Sequence, residues 1–454
     1  MRIADLAGQR VAIWGYGREG RAAVAALARR LPGLRPTLFC SDDEKSLAET
    51  TGTDLRIVTT APQAADLATF DVVIKSPGIS AYRPEILDAR RNGTRFTSAT
   101  ALWFAEHPEA RTIAVTGSKG KSTTTALIAH LLRGLGHRVA LAGNIGMPVL
   151  ELLDPRVSPD WWVIELSSFQ TRDTSHVDVG VITNLDEEHL DWHGDRDRYA
   201  ADKLALADAA TVLVINARHG ELVRRTATHA HRQVFGDAFG WNADAATIQR
   251  GGLPVFDLGD FALAGPHNAL NACAALAAVE AAGEDARGAV AHLATFRPLP
   301  HRLQVLGTRA GIVWIDDSIA TTPQSAIEAL RTLGGHEIAL ILGGHERGLD
   351  WHGFAAAVRA HPPRTIIVNG ANAMRIAEVL HTGGDPCPVQ VVATLADAVA
   401  LARREINEGG TVLLSPGAPS FDQFRDYAER GRAFAALAGF DPDAIGQIEG
   451  LGIA

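Results

Sequence analysis

The sequence predicts an α/β protein of three domains, built from mostly parallel sheets with helices on both faces. Its 454 residues correspond to three domains at roughly 150 residues each. Short β-branched runs recur along the chain and alternate with amphipathic stretches of about 10–15 residues, which is the pattern of repeated βαβ units. Most of these runs are apolar on both faces, as the strands of a covered parallel sheet are.

The predicted strands follow these runs in chain order. They are residues 11–14, 37–40, 72–75, 112–115, 162–166, 179–183, 212–216, 311–315, 337–342, 365–368 and 411–414. Two segments divide the runs into three blocks: residues 97–106 precede one new strand, and the Pro-rich residues 296–302 precede another. We therefore predict domains of residues 1–103, 104–304 and 305–454.

Composition restricts the partners that the chain could have. Lys and Arg number 43 against 52 Asp and Glu, and the formal net charge of −9 argues against a non-specific grip on nucleic acid or an anionic membrane. The N-terminus lacks the apolar core of a signal peptide, and no run of about 18 apolar residues predicts a membrane span. We expect a cytoplasmic protein with no nucleic-acid partner and no membrane span.

The first strand runs into GYGREG at residues 15–20 and then into a helix, which is the GxGxxG pattern of dinucleotide-binding turns. The glycines let the backbone approach a diphosphate, and the N–H groups at the helix start supply donors. Asp42 follows the second strand, where a ribose-binding carboxylate would lie, and the loop of Ser76, Pro77 and Gly78 could close over a base. From this motif alone, NAD, another diphosphate nucleotide and a turn that only packs all remain open.

A second phosphate loop, TGSKGKSTT at residues 116–124, follows the strand 112–115. The backbone of such a loop forms an anion site, Lys121 would neutralise phosphate charge, and the hydroxyl of Ser122 or Thr123 would face Mg²⁺. The spacing departs from GxxxxGK[ST], because Val115 stands where the first glycine belongs. A nicotinamide dehydrogenase has no use for this loop, so the two loops together favour an ATP-driven reaction on a nucleotide-linked substrate.

Polar side chains at the carboxyl ends of neighbouring strands are the candidate metal ligands. Glu165 lies at the end of one strand, and His189 belongs to a polar segment after the next. Mg²⁺ prefers oxygen ligands, so a carboxylate is its natural partner, whereas His189 alone would be a general base or a surface histidine. Lys203 lies on a predicted helix and, from the residues alone, would be a solvated lysine.

With these residues in place, the chain resembles the Mur ligases of peptidoglycan synthesis over essentially its whole length. Within that family it is most similar to the members that add glutamate to UDP-N-acetylmuramoyl-L-alanine. The motifs that carry the resemblance are TGSKGKST (116–123), GNIGMP (143–148), IELSSFQ (164–170), NLDEEHLD (184–191), GPHNALNA (265–272), LPHRLQ (299–304), DDSIATT (316–322) and LLSPGAPSFDQF (413–424).

The resemblance implies N- and C-terminal Rossmann-like domains, for UDP and the amino acid, and a central P-loop ATPase-like parallel sheet with flanking helices. It implies that ATP is a cosubstrate and that two Mg²⁺ ions take part. The substrate carboxylate would attack the γ-phosphate of ATP, and the amine of glutamate would attack the resulting acyl phosphate. We expect a monomer whose partners are small molecules: ATP, glutamate and UDP-N-acetylmuramoyl-L-alanine.

The motifs and the resemblance together assign the site residues. The catalytic residues would be Lys121, Glu165, His189 and Lys203, and Mg²⁺ would be held by Ser122, Glu165, His189 and a carbamylated Lys203. ATP would be bound by Gly117, Ser118, Lys119, Gly120, Lys121, Ser122, Thr123, Asn268, Asn271, Arg302 and Asp317. The UDP substrate would be bound by Gly15, Tyr16, Gly17, Arg18, Asp42, Ser76, Pro77, Gly78, Asn144, Ser167 and Gln170. The amino acid would be bound by Thr321, Arg347, Ser420 and Tyr427.

The amino-acid site departs from the pattern of the D-glutamate enzymes. Ile319 and Arg347 stand where those enzymes have lysines. The isoleucine removes one cation, and the arginine replaces a compact ammonium with a planar guanidinium that can bind a carboxylate through two hydrogen bonds. These changes favour a branch of the family that uses L-glutamate. Ordinary D-glutamate addition, a ligase like folylpolyglutamate synthetase and a nucleotide-binding regulator with a retired site are the alternatives. The GxGxxG domain argues against the second of these, and the joint presence of the four catalytic candidates argues against the third.

Overall fold

The computed structural model describes residues 1–50, 52–186, 190–263, 265–334, 337–382, 384–446 and 448–454. Contacts divide the chain into two compact units, Met1–Phe296 with Gly450–Ala454, and Arg297–Glu449. The first unit holds two sheets and the second holds one, so the predicted α/β class is confirmed, while the predicted three-domain boundaries stay a prediction. Among the described residues, no helix is long and apolar enough to cross a bilayer.

The first sheet has the strand order of a Rossmann half. Its strands are β1 (Val11–Trp14), β2 (Thr37–Phe39), β3 (Arg56–Val58), β4 (Val72–Lys75) and β5 (Arg95–Thr97), and its helices are α1 (Arg18–Arg30), α2 (Asp42–Glu49), α3 (Ala64–Leu67), α4 (Pro84–Arg91) and α5 (Ala99–Glu106). The five strands are parallel in the order β3-β2-β1-β4-β5. The strand order reverses between β1 and β4, so the loops after these two strands flank the crevice where such sheets bind ligands.

The second sheet has a parallel centre with antiparallel edges. Its strands are β6 (Thr112–Thr116), β7 (Val139–Gly143), β8 (Trp161–Glu165), β9 (Val177–Ile182), β10 (Ala210–Asn216), β11 (Arg232–Phe235), β12 (Trp241–Ala243), β13 (Thr247–Arg250), β14 (Leu253–Asp257) and the C-terminal strand Gly452–Ile453. Its helices are α6 (Lys121–Gly134), α7 (Leu190–His193), α8 (Arg196–Ala209), α9 (Gly220–Arg225), α10 (Pro266–Ala281) and α11 (Ala286–Ala289). The order is β14-β13-β12-β11-β10-β9-β6-β8-β7 and then the C-terminal strand.

The centre of this second sheet is its most buried part. Every residue of β6, β7 and β8 is buried, as parallel strands covered on both faces should be. β6 lies between β8 and β9, so the carboxyl ends of these three strands meet at one edge of the sheet. Helices α6 and α10 pack against each other, which brings the start of α10 close to the start of α6.

The second unit is a single six-stranded sheet with helices. Its strands are β15 (Gln304–Arg309), β16 (Ile312–Asp316), β17 (Ile338–Leu342), β18 (Thr365–Val368), β19 (Val389–Val391) and β20 (Thr411–Leu414), and its helices are α12 (Pro323–Leu333), α13 (His352–Ala360), α14 (Ala373–His381), α15 (Leu395–Glu405) and α16 (Tyr427–Ala438). The order is β15-β16-β20-β17-β18-β19, with only β15 antiparallel to its neighbour. The predicted strands lie within about two residues of the observed ones.

Candidate active site

The phosphate loop joins β6 to α6, as the sequence predicts. Gly117 and Gly120 have φ angles of 149° and 82°, in the region that favours glycine. A Cβ atom at Gly117 would clash with the hydroxyl of Thr183, and one at Gly120 would clash with the side-chain oxygen of Asn271. Both positions therefore require glycine for conformation and for space.

Lys121 is the first residue of α6, and its side chain folds back onto the backbone of this loop. Its Nζ donates hydrogen bonds to the carbonyls of Gly117 at 2.9 Å and Ser118 at 2.8 Å. Ser122 and Thr123 follow in the first turn of α6, where the N–H groups of a helix start attract anions. A cation, two hydroxyls and a helix start thus share the carboxyl end of β6, which suits the phosphates of a nucleotide.

The segment after β9 forms hydrogen bonds with the phosphate loop. The side-chain oxygen of Asn184 accepts hydrogen bonds from the N–H groups of Ser118 at 2.7 Å and Lys119 at 2.8 Å. The hydroxyl of Thr183 donates to the carbonyl of Lys119 at 2.7 Å. Sequence reasoning assigned no role to Asn184 or Thr183. His189, from the same motif, lies outside the described residues, and its place in the site stays a prediction.

The two predicted asparagines of α10 reach the phosphate loop. The side-chain oxygen of Asn271 accepts a long hydrogen bond of 3.4 Å from the hydroxyl of Thr124, and its nitrogen donates to Asn268 at 3.3 Å. The structure therefore brings these two residues together with Gly120, although they lie about 150 positions further along the chain.

Glu165 ends β8, next to the phosphate strand β6, and is 1% exposed. One of its carboxylate oxygens accepts a hydrogen bond of 2.8 Å from the side chain of Asn144. The other oxygen is buried and has no hydrogen-bond partner among the described residues. A buried carboxylate oxygen with no partner is costly unless a cation or a donor reaches it. Glu165 therefore fits the role of a Mg²⁺ ligand, and Asn144 holds its carboxylate in place.

Lys203 lies on α8 and is 2% exposed, so the reading of a solvated lysine from the residues alone is wrong. Its Nζ lies 4.8 Å from the ring centre of Tyr199, and the hydroxyl of Tyr199 lies 2.6 Å from that of Ser118 in the phosphate loop. Tyr199 thus connects Lys203 to the phosphate loop. Among the described residues, no three His, Cys, Asp or Glu side chains form a metal site, and the predicted ligand set instead needs His189 and a modified lysine.

The glycine turn of the first sheet is tightly packed, as its motif predicts. Gly15 has a φ of 93°, and a Cβ atom there would lie 2.6 Å from the hydroxyl of Ser76. A Cβ atom at Gly20 would clash with the carbonyl of Gly15. Ser76 donates a hydrogen bond of 3.2 Å to the carbonyl of Gly15, which ties the loop after β4 to the turn after β1. The two predicted UDP-binding loops are therefore neighbours.

The other predicted UDP-binding residues differ in their surroundings. Arg18 donates to the carbonyl of Gly146 at 3.0 Å, whereas Tyr16 is buried and Asp42 is exposed at the start of α2. Gln170 is buried, and its side-chain oxygen accepts hydrogen bonds from the N–H at 3.1 Å and the hydroxyl at 2.8 Å of Ser167. Ser167 and Gln170 thus bond each other, and contact of either with a substrate stays a prediction.

Glu19, inside the glycine turn, is a half-buried acid with one buried carboxylate oxygen, and sequence reasoning missed it. One oxygen accepts a hydrogen bond of 3.3 Å from Gln170, and the other has no partner among the described residues. Burial, together with the negative charges of Asp173 and Glu151, raises the pKa of Glu19 from 4.5 to about 7. The folded chain therefore holds this proton at pH values where the unfolded chain has released it.

We expect the stability of the chain to fall as pH rises through this window, between about 4.5 and 7, because there the folded state binds more protons than the unfolded state. Glu19→Gln removes this titrating group. Between pH 5 and pH 8 the free energy of unfolding should therefore decrease by about 2 kcal/mol less in the variant than in wild type. Urea unfolding at both pH values measures this, with the exposed Glu49→Gln as a matched control. Equal pH slopes in wild type and Glu19→Gln would contradict the assignment.

In the second unit, the predicted nucleotide residues Arg302 and Asp317 surround the start of β15 and the end of β16. Asp317 accepts hydrogen bonds from the N–H of Leu303 at 3.1 Å and the hydroxyl of Ser415 at 2.7 Å. Burial raises the pKa of Asp317 to about 7. The Nε of Arg302 is buried without a hydrogen-bond partner in the described part of the chain. Asn268 and Asn271 belong to the other unit.

The predicted amino-acid residues all lie in the second unit. Ser420 is buried, Thr321 and Tyr427 are half-buried, and Arg347 is exposed. The guanidinium of Arg347 lies 5.6 Å from the ring centre of Phe421, a cation–π contact that the sequence did not suggest. Phe421 directly follows Ser420 in the chain, so the contact joins Arg347 to the segment that carries Ser420.

Arg430 is a buried cation near these residues that sequence reasoning also missed. It is 3% exposed and donates hydrogen bonds to the carbonyl of Ser318 at 2.8 Å, to its hydroxyl at 3.0 Å and to the carbonyl of Ala418 at 3.0 Å. Burial lowers its pKa to about 10. Arg430 thus ties the segment before Ile319 to the segment before Ser420.

Comparisons with known proteins agree with one another. The family model of the Mur ligase middle domain matches residues 115–279, and that of the Mur ligase, glutamate ligase domain matches residues 301–417. A protein of Xanthomonas euvesicatoria named UDP-N-acetylmuramoyl-L-alanine–L-glutamate ligase is 47% identical over 472 aligned positions, which cover 100% of each chain.

Two solved structures share the fold. UDP-N-acetylmuramate-alanine ligase from Thermotoga maritima is 21% identical with a TM-score of 0.64, covering 95% of this chain and 99% of that one. A folylpolyglutamate synthase of Mycobacterium tuberculosis, solved with ADP, is 20% identical with a TM-score of 0.58, covering 75% of this chain and 93% of that one. At these identities the likeness concerns the fold alone.

Proposed function

This chain belongs to the Mur ligase family, as its motifs predicted, and we propose that it joins L-glutamate to UDP-N-acetylmuramoyl-L-alanine, converting ATP to ADP and phosphate. The observation that carries the proposal is the meeting of the Lys121 loop with the buried Glu165 at the ends of the adjacent strands β6 and β8. The first provides a nucleotide phosphate site, and the second provides a carboxylate oxygen that lacks a partner.

In the first step, a carboxylate oxygen of the alanyl group would bond to the γ-phosphorus of ATP. The bond from that phosphorus to the β–γ bridging oxygen breaks, and ADP leaves with the electron pair. Such a transfer depends mostly on positioning and on compensation of charge. The ammonium of Lys121 and the helix start of α6 would offset the charge that develops on the phosphates.

Mg²⁺, when bound, supplies further neutralisation of the phosphate oxygens. We expect Ser122, Glu165, His189 and Lys203 to hold the two ions. Lys203 would first lose a proton to give the free amine, whose Nζ would then add carbon dioxide and release a second proton, so that a buried cation becomes an anionic oxygen donor. A buried ammonium next to a metal would be repelled, whereas a carbamate would be attracted.

In the second step, the amine of glutamate would attack the acyl carbon, and phosphate would leave from the tetrahedral intermediate. Arg347, Thr321, Ser420 and Tyr427 would bind the amino acid. The replacement of one lysine by Ile319 and another by Arg347 supports L-glutamate. A planar guanidinium binds a carboxylate in a different orientation from the ammonium of a lysine. The name of the Xanthomonas relative supports the same enantiomer. We further propose that the enzyme works in the cytoplasm as a monomer.

The experiment that tests this proposal measures phosphate release from Mg·ATP in four mixtures: with both co-substrates, with each alone and with neither. We expect release only when UDP-N-acetylmuramoyl-L-alanine and L-glutamate are both present, because the amine completes turnover. Release that is indifferent to both would contradict a ligase. In a fifth mixture a folate replaces the UDP substrate, and release there but not with the UDP substrate would favour the folylpolyglutamate alternative.

A further inference from the structure

A polar cluster centred on the buried carboxylate of Asp202 contains none of the residues assigned above. The carboxylate of Asp202 accepts hydrogen bonds from the hydroxyl of Tyr82, at 2.7 and 2.9 Å to its two oxygens, and from the Nε of Arg172. Nδ1 of His193 lies 2.6 Å from the same carboxylate, and its Nε2 lies 3.0 Å from the hydroxyl of Ser168. We call these five residues the Asp202 cluster.

Ser168, His193 and Asp202 are linked by hydrogen bonds in the same sequence as the nucleophile, the base and the orienting acid of a catalytic triad. Their exposed fractions are 5%, 0% and 1%, so no substrate reaches the serine hydroxyl. A hydrolytic role is therefore excluded by burial. A buried carboxylate with several donors serves instead to fix the segments that supply those donors.

The cluster joins segments that carry the proposed site. Ser168 and Arg172 follow Glu165 at the end of β8, and His193 closes α7, four positions after His189. Asp202 directly precedes Lys203 on α8. Asp202 therefore adjoins Lys203 and contacts residues that lie within seven positions of Glu165 and His189 in the chain.

Tyr82 brings a fourth segment, the loop after β4, which holds the proposed UDP-binding residues of the first sheet. This loop is also tied to the end of α7: Ser80 donates to the carbonyl of Trp192 at 2.5 Å, and the Trp192 indole donates to the carbonyl of Pro77 at 3.0 Å. The rings of Tyr82 and Trp192 meet edge to face at 5.8 Å. The loop after β4 therefore contacts α7 through Ser80 and Pro77, and α8, which carries Lys203, through Tyr82.

We propose that Asp202 is a positioning residue that, through its hydrogen bonds to Tyr82, couples binding of the UDP substrate to binding of Mg·nucleotide. A UDP substrate that orders the loop of Ser76, Pro77 and Gly78 fixes Tyr82. Tyr82 in turn fixes Asp202 and the adjoining Lys203. Coupling of this kind is reciprocal, so each ligand raises the affinity for the other by the same factor. This inference rests on the proposed function.

The test is calorimetric titration of UDP-N-acetylmuramoyl-L-alanine into the full chain, without glutamate, in the absence and presence of a Mg²⁺ complex of a non-hydrolysable ATP analogue. In wild type we expect the nucleotide to raise the affinity at least about fivefold. Tyr82→Phe removes only the hydroxyl, and should reduce this factor to below about twofold while each ligand alone binds nearly as before. Arg172→Gln should act in the same direction.

Arg30→Gln is the matched control, because it breaks a surface ion pair with Asp154 in the same unit and should keep the full coupling factor. An unchanged factor in Tyr82→Phe would overturn the inference, as would a wild type that binds both ligands without coupling. Loss of nucleotide binding on its own in Tyr82→Phe would show a general structural role and would also overturn it. A wild type that fails to bind the UDP substrate or the nucleotide would instead overturn the proposed function.

Discussion

Replacing Lys121 with alanine should lower kcat/KM for ATP by about 10²- to 10³-fold, the size of effect seen when a preorganised charge-stabilising group is lost. Lys121 Nζ already lies against the carbonyls of the phosphate loop, so little rearrangement separates it from a bound phosphate. Alanine keeps the helix start and the glycines that shape the loop. The loss should therefore fall on phosphoryl transfer and not on the fold.

Steady-state phosphate release with saturating co-substrates measures this effect, and thermal unfolding checks the fold. Lys45→Ala is the matched control, because Lys45 is an exposed lysine that pairs with Glu49 on the same helix. The control should keep wild-type activity. Activity of Lys121→Ala within about threefold of wild type would contradict the assignment of the phosphate loop.

Replacing Lys203 with alanine should lower turnover at least about 10²-fold, and millimolar formate or acetate should restore part of it. The reason is that a carbamate on Lys203 supplies oxygen atoms, and a small carboxylate can occupy the space that the truncated side chain leaves. Lys203 is buried on α8 beside Tyr199, which is itself bonded to the phosphate loop, so this space adjoins the nucleotide site.

Two measurements separate a carbamate from a plain lysine. Activity of Lys203→Ala is titrated with formate and acetate, with Lys121→Ala as the variant that carboxylates should not rescue. Carbon-13 NMR of the wild type in labelled bicarbonate should show a carbamate resonance that Lys203→Ala lacks. No rescue at any concentration, together with no such resonance, would contradict carbamylation.

The parts of the fold that the sequence predicted are those fixed by local chemistry. The turn from β1 to α1 depends on glycines a few positions apart, and so does the phosphate loop from β6 to α6. The family was likewise predicted from ordered motifs, and the comparisons confirm it. In contrast, β14 is mostly exposed, and the C-terminal strand is two residues that pair with β7 from the far end of the chain. Neither leaves a pattern within its own residues.

The parts of the site that the sequence missed depend on packing. Helix α8 buries Tyr199, Asp202 and Lys203, although their side chains are polar or charged, because neighbouring segments supply their partners. Glu19 looks like a surface acid in a helix start, yet one of its oxygens is buried and the other accepts a hydrogen bond from Gln170, which lies about 150 positions away in the chain. An unusual density of polar residues in 195–203 is the one signal that could have drawn attention to α8.

The enantiomer of glutamate is the central claim, and paired initial-rate assays with L- and D-glutamate test it most directly. The UDP substrate and Mg·ATP are kept saturating, and product formation is followed together with phosphate release. We predict that kcat/KM for L-glutamate exceeds that for D-glutamate by at least about 10²-fold. A site whose guanidinium and hydroxyl groups pair with one enantiomer leaves polar groups unpaired when the other enantiomer binds. Equal use of both enantiomers, or a preference for D-glutamate, would contradict this account.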